Sequence, residues 1–291
     1  MANTVTVRNV KITLCGLVLI IIASNVSLTS VYAKDEPMAY ETFTASNGET
    51  ITNYGYIVQI WNRLSSEGIP DYGIAALMGN LYSESLCVPY ICQGNTTYPF
   101  SASQTYTSNV NNGTISEYAF VHYGANGTTA ANKGYGLAQW TINARKQPLY
   151  TMYKTGYSSI GSISLALDYL MVELNGTGQY GALNYRNVLT YIKDESKTMR
   201  QRSNYVLANF ENPKDQSNAV KEKRYRRAQA IYEYMTQSVP PTDPPDDGSG
   251  EGGGGGGGNG KPDGLHRPNK LPISCMIRKH YKDERTGQWL L

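Results

Sequence analysis

Apolar residues return at helical spacing through most of this chain. Ile51, Tyr54, Ile57, Val58, Trp61 and Leu64 mark a first helix that Gly68 and Pro70 close, and Ile74, Leu77, Met78 and Leu81 mark a second that starts at Pro70 and Asp71. The small residues Ala75, Ala76 and Gly79 let the two pack closely. Residues 86–133, rich in Asn, Gly, Thr, Ser and Tyr, break the pattern and are expected to be the least regular part of the domain. Helical spacing resumes from Arg145 to Tyr153. It continues through Ile163–Leu174, Val188–Ile192, Met199–Phe210 and Val220–Met235. Past Val239 it stops. Pro240-Pro-Thr-Asp-Pro-Pro245 and the glycine run Gly252–Gly258 cannot bury a core, so residues 238–264 are expected to form a linker, stiff at first and flexible afterwards.

One acidic residue stands out against this pattern. Glu84 lies seven residues after Leu77 and three after Leu81, so the last turn of the second helix carries it toward the buried side. Partial burial and the negative end of the helix dipole both disfavour a charged carboxylate there, which suits a general acid. A capping or solvated role is the plain alternative. Downstream, Gly134-Tyr-Gly-Leu-Ala-Gln139-Trp140-Thr141 and Arg145 combine a glycine turn with an amide, a large aromatic and a guanidinium. Such groups suit a carbohydrate, with Gln139 bonding hydroxyl or acetamido groups and Trp140 offering a flat face to a sugar ring.

These stretches resemble the lysozyme and lytic transglycosylase superfamily, and most closely the phage tail lysozyme domains. The pattern can be followed through Gly79-Asn-Leu-x-x-Glu84-Ser85, Tyr106-Thr107-x-x-Val110 and Gly134-Tyr-Gly-Leu-Ala-Gln-Trp-Thr-x-x-x-Arg145. It continues in Ser159-Ile-Gly161, Leu167-Asp-Tyr-Leu-x-x-Glu173-Leu174 and Phe210-Glu-x-Pro213-x-Asp215-Gln216-Ser217-x-Ala-Val220. Together the matches run from about Tyr54 to Met235. The resemblance implies a mainly α (α+β lysozyme-like) fold over residues 49–237, with a small irregular sheet in the 86–133 region forming one wall of the cleft. It implies cleavage of the β-1,4 bond between N-acetylmuramic acid and N-acetylglucosamine in peptidoglycan, with Glu84 as the acid. Gln139 and Trp140 would then position the sugar while Tyr135 and Arg145 shape the site.

A second carboxylate has one candidate on that wall. Glu117 is the only acid between Glu84 and Arg145. Glycosidases of both stereochemistries place a carboxylate across the bond, whereas lytic transglycosylases use the substrate's own hydroxyl, and one wall acid fits either. The family pattern often has an acid just after the histidine that corresponds to His122, but here Tyr123 stands in that place. Asp168 and Glu173 flank core positions and read as solvated or salt-bridged helix residues. Arg224, Arg226 and Arg227 form a basic cluster that reads as a solvated face.

Composition narrows the context. The 291-residue chain carries a formal net charge of +3, which leaves no broad basic footprint for nucleic acid. Its 24 Tyr against 4 Phe suit a surface that meets polar polymers, or equally reflect a compositional habit of the source organism. Arg8 and Lys11, the apolar run Ile12–Ala23 and Val31-Tyr32-Ala33 read as a secretory signal peptide over residues 1–33, with 34–48 a loosely ordered mature start. The expected product is a secreted bacterial protein acting as a monomer on peptidoglycan strands. Residues 265–291 form a short basic tail, an unstructured extension or a contact for anionic wall polymer or membrane. In an oxidising compartment Cys87 and Cys92 could close a disulfide just past Glu84, and Cys275 is left without a partner. No phosphate loop, Cys-x-x-Cys pair or histidine cluster calls for a nucleotide, cofactor or metal. Two readings from other classes remain: a wall-binding module without catalysis, and a cysteine peptidase using Cys87 or Cys92 with His122.

Overall fold

The computed structural model of the chain describes residues 40–123, 134–240, 243, 281–282 and 289–290. The expected signal segment, residues 1–33, lies outside them, as do most of the expected linker and tail. The chain divides into two compact units, Met1–Asp246 and Asp247–Leu291. In the first, strands β1 (Glu41–Thr44) and β2 (Thr50–Asn53) make an antiparallel hairpin with Phe43 opposite Ile51. The helices α1 (Ile57–Ser66), α2 (Asp71–Ser85), α3 (Ser101–Asn111), α4 (Glu117–His122) and α5 (Asn143–Tyr153) follow. After them come α6 (Ile163–Asn175), a 3-10 turn (Gln179–Gly181), α7 (Arg186–Lys193), α8 (Met199–Val206), a π-helical turn (Leu207–Glu211) and α9 (Asn218–Thr236). Within the second unit β3 (Tyr281–Lys282) pairs antiparallel with β4 (Trp289–Leu290).

The core is built around α2. Every residue from Gly73 to Tyr82 is buried, so this helix is enclosed on all sides rather than amphipathic, and it carries small residues where its neighbours come close. A Cβ on Gly79 would stand 2.7 Å from the Arg224 carbonyl and the Ala228 nitrogen of α9. One on Gly73 would stand 2.2 Å from the Ile192 carbonyl of α7. Glycine at both places sets the spacing of the helix pairs, and Glu84 lies in the last turn of α2.

The chain entry differs from the expected helix over 51–64. Thr50, Ile51, Thr52 and Asn53 form a strand, because β-branched residues here alternate between outward Thr50 and inward Ile51 and Asn53. Asn53 Oδ1 then accepts from the Gly55 and Ile57 backbone nitrogens at 2.8 and 3.2 Å, holding the turn that leads from β2 into α1 at Ile57. Residues 41–48 are likewise no loose start. The Glu233 carboxylate on α9 accepts from the Ser46 backbone nitrogen and hydroxyl, and Thr52 donates its backbone N–H to the Tyr82 hydroxyl at 2.8 Å. The small sheet comes from residues 41–53, whereas the described part of 86–133, residues 86–123, supplies α3 and α4 and one single bridge, Cys92 to Tyr135.

Candidate active site

Glu84 sits in the last turn of α2, where Leu86 and Cys87 take left-handed conformations (φ 55° and 60°) and end the helix. Its side chain is 22% exposed, and its carboxylate pairs with Arg224 of α9, a residue 140 positions downstream. Arg224 is itself fixed. Its Nη1 donates to the Asn80 carbonyl and to Asn80 Oδ1, both at 3.3 Å, and the Asn80 amide nitrogen donates to the Ala76 and Ser203 carbonyls. The environment expected for Glu84 contained only burial and a helix dipole, so Arg224 adds a favourable charge that local sequence could not show.

The Gly134–Trp140 stretch is a tight loop fastened beside that helix end. Ser85 donates its hydroxyl to the Leu137 carbonyl at 2.6 Å, so the residue next to Glu84 anchors the loop. Tyr135 and Trp140 close it by reciprocal backbone bonds of 3.2 and 3.0 Å, with Gly136 and Gln139 at positive φ (79° and 46°) between them. A side chain on Gly136 would press on the Trp140 ring, its Cβ 2.9 Å from Cζ3.

The loop's side chains point into the protein, which corrects their expected role as sugar contacts. Trp140 is 0% exposed, and its indole N–H donates to Glu173 at 2.9 Å. Tyr135 is 2% exposed and bonds Thr107 through its hydroxyl at 2.8 Å. Gln139 donates its amide to the Ile91 and Gly136 carbonyls at 3.1 and 3.0 Å, leaving its Oε1 buried without a partner. Arg145 makes a bidentate pair with Glu173, 2.8 Å from Nε and 2.8 Å from Nη2. A ring buried on both faces offers none to a sugar, and these four residues are held by partners inside the protein.

Glu173 ties two of them together. Fully buried on α6, it accepts from Trp140, twice from Arg145, and from the Tyr169 hydroxyl at 3.3 Å. Burial opposes the charge of Arg145, but Glu173 outweighs it and holds the guanidinium above its ordinary range. Burial, reinforced by Glu173, pushes the Tyr169 phenol up. Arg145 also reaches the Phe210 carbonyl at 3.5 Å and lies over the Phe210 ring, 4.6 Å from its centroid. The sequence had placed Glu173 as a structural helix residue, and its partners agree.

Next to Phe210 stands the acid that sequence reasoning passed over. Glu211 ends the π-helical turn, and Asn212 follows at φ 44° with its N–H on the Leu207 carbonyl at 2.8 Å. Glu211 Oε1 is shut off from solvent and has no hydrogen-bond partner among the described residues. Burial pushes its carboxyl up to about 8, helped by the negative charges of Glu84 and Glu173 against the pull of Arg145 and Arg224. The available signal was Phe210-Glu-x-Pro213 itself, whose acid was quoted in the pattern without a role.

Other candidates fall elsewhere. Glu117 is exposed in the first turn of α4, where Gln147 donates to it at 2.6 Å; the carboxyl that feels Glu84 is Glu211. Cys87 and Cys92 are free buried thiols, not a disulfide: Cys87 faces the Met78 carbonyl inside the core, whereas Cys92 is in the bridge with Tyr135. Burial pushes the Cys87 thiol up, and Cys92 up to about 11, so neither supplies the thiolate a peptidase needs. His122 bonds the Tyr118 carbonyl of its own helix at 3.0 Å. Asp168 pairs with Arg63 at 3.2 Å. Arg226 and Arg227 both face Glu49, so the basic cluster is spent on internal pairs. Among the described residues no group of three His, Cys, Asp or Glu side chains is placed to hold a metal ion.

The model of the phage tail lysozyme family matches residues 56–235, more than half of the chain, and this span contains Glu84, Arg145, Glu173, Glu211 and Arg224. No curated protein matches the chain.

Proposed function

The chain belongs to the phage tail lysozyme family, and from that premise we propose that it cleaves the β-1,4 bond between N-acetylmuramic acid and N-acetylglucosamine in peptidoglycan. The observation that carries this reading is the setting of Glu84: a partly exposed carboxyl at the end of a fully buried helix, backed by a rigid cluster of paired charges. Glu84 gives a proton to the leaving oxygen while an oxocarbenium-like sugar develops. Arg224 fixes the carboxyl's direction and stabilises the carboxylate left after donation. The buried loop and Glu173 keep this geometry from relaxing, which is the usual supporting shell of a catalytic group.

A lytic transglycosylase reading has its own support. Hydrolysis by either stereochemical route uses a second, ionised carboxylate, yet Glu211 is held up to about 8 by burial and is protonated at neutral pH. With Glu117 out on the surface, Glu84 would serve as both acid and base, and the substrate's own hydroxyl would attack. We also propose that the protein is exported, since residues 1–33 read as a leader and the substrate lies outside the cytoplasm.

The test is release of soluble muropeptides from purified peptidoglycan by the wild type and by Glu84→Gln, which keeps the side chain's shape without its proton. Loss of release in a folded variant supports the proposal; equal release by both removes Glu84 from the reaction.

A further inference from the structure

Trp140 and Tyr135 are buried, and the rings open to a sugar stand elsewhere. Tyr40 is 58% exposed and Tyr98 57%. They face each other with ring centroids 5.3 Å apart, and both meet Tyr54, at 5.5 and 5.6 Å. Tyr98 lies nearly parallel to Tyr54, at 19°, and the buried Phe100 makes T-shaped contacts with both, at 5.6 and 4.9 Å. A single exposed apolar side chain needs no explanation. Three interlocked rings bolted to a buried fourth are a ledge whose shape is set before anything binds.

The β1–β2 register decides what lies beside the ledge. Thr44 is opposite Thr50 and Thr42 opposite Thr52, and the next outward position of the same register puts Tyr40 opposite Tyr54. Alternation sends these six to one face, away from the buried Ile51 and Asn53. The paired threonine hydroxyls lie 3.0 and 3.5 Å apart. One face therefore offers flat rings at one end and a row of hydroxyls leading away from them, over about 13 Å of strand. Amphipathic rings with hydroxyls suit a polymer whose units have apolar ring faces and hydroxyl edges, and such a surface is too polar for a lipid or an apolar helix.

The ledge is tied to the end of α2. The Thr52 N–H reaches the Tyr82 hydroxyl at 2.8 Å, and Leu86 and Tyr54 both pack on the Val88, Ile91 and Phe100 cluster. Tyr82 precedes Glu84 by two residues, which places it roughly 200° round the helix from the acid. Ledge and acid thus stand on opposite sides of one helix end, separated by at least the helix width of about 10 Å.

We propose that Tyr40, Tyr54 and Tyr98, with the threonine row of the hairpin, form a glycan-strand subsite remote from the bond that Glu84 cleaves. This rests on the peptidoglycan reading above and names a second place at which the strand is gripped. Tyr40 and Tyr98 cover the apolar faces of sugar units, and the threonines exchange hydrogen bonds with sugar hydroxyls. A grip so far from the scissile bond is equal in ground and transition states, so it lowers KM for long strands and leaves kcat as it is.

Calorimetry of purified, solubilised glycan strands with the full chain carrying Glu84→Gln tests the ledge without turnover. Adding Tyr40→Ala and Tyr98→Ala, both at exposed positions, should weaken binding roughly tenfold, and phenylalanine at both places should restore most of it because the rings remain. Equal affinity in the folded alanine variant, or no binding before the tyrosines are changed, would overturn the proposal. With Glu84 restored, the alanine pair should raise KM for long strands roughly tenfold at constant kcat and leave the shortest fragment that is cut unaffected. An equal loss on that fragment would overturn it. If the wild type binds strands through the ledge and cuts none, the glycosidase reading falls and the ledge stands; if it cuts them and the alanine pair leaves KM unchanged, the ledge falls and the reading stands.

Discussion

Replacing Glu211 by glutamine should make the protein more stable, and by an amount that depends on pH. The carboxyl rises from an ordinary 4.5 to about 8 on folding because burial opposes its charge. A group raised in this way contributes stability fully below its unfolded value and loses it as pH climbs through the folded one. At pH 7, two and a half units above 4.5, the unfolded chain has ionised this side chain and the folded protein has not, which costs about 3 kcal/mol at roughly 1.4 kcal/mol per unit. Glutamine has nothing to ionise. Glu211→Gln should therefore match the wild type near pH 4 and exceed it by up to about 3 kcal/mol at pH 7, or roughly 6 to 12 °C in Tm for a domain of this size. Urea unfolding at a series of pH values reads the gap directly. A variant less stable than the wild type at pH 7, with a gap that does not change with pH, would refute the reasoning. Such a stabilising loss is the mark of a residue kept for function at the expense of stability.

The remaining expectations concern the Glu173 cluster and the cysteines. Glu173→Ala leaves Arg145 buried and unpaired and should cost about 3 to 5 kcal/mol in urea unfolding; a loss under 1 kcal/mol would mean the cluster is not dry. Trp140→Phe keeps an aromatic ring but removes the donor to Glu173, so it should lower stability by about 1 to 3 kcal/mol and leave KM unchanged. A raised KM at unchanged stability would restore its role as a sugar contact. Because Cys87 and Cys92 are unbonded, a reducing agent should not alter Tm, and a thiol reagent should reach them only after unfolding; a Tm that falls on reduction would contradict this.

Helices with regular apolar spacing were legible in the sequence, and so was the start of α2 at Pro70 and Asp71, because burial of one face dictates both. Its full enclosure was not, since that depends on which helices surround it. The β1–β2 hairpin was missed because Ile51 and Tyr54 fit a helical stripe, whereas Asn53, a buried polar residue whose Oδ1 holds the Gly55 and Ile57 nitrogens, ends the strand there. At the site, Glu84 and the glycine loop could be found from local chemistry. What the loop's side chains do could not. Gln139, Trp140 and Arg145 have the groups of a sugar site, and only the distant Glu173 shows that those of Trp140 and Arg145 are already occupied, while the Gln139 amide is taken by the Ile91 and Gly136 carbonyls. Glu211 and Arg224 stood in view in the chain, but their meaning arises from partners 127 and 140 residues away from them in sequence, at Glu84.

The most direct test of the central claim is mass spectrometry of the ends left when wild type and Glu84→Gln act on purified peptidoglycan. Products ending in muramic acid, either reducing or anhydro, and absent with the variant, are predicted; the form of the end separates water from the sugar's own hydroxyl as the attacking group. Products ending in reducing N-acetylglucosamine, cut stem peptides with intact glycan, or the same products from Glu84→Gln would contradict the account.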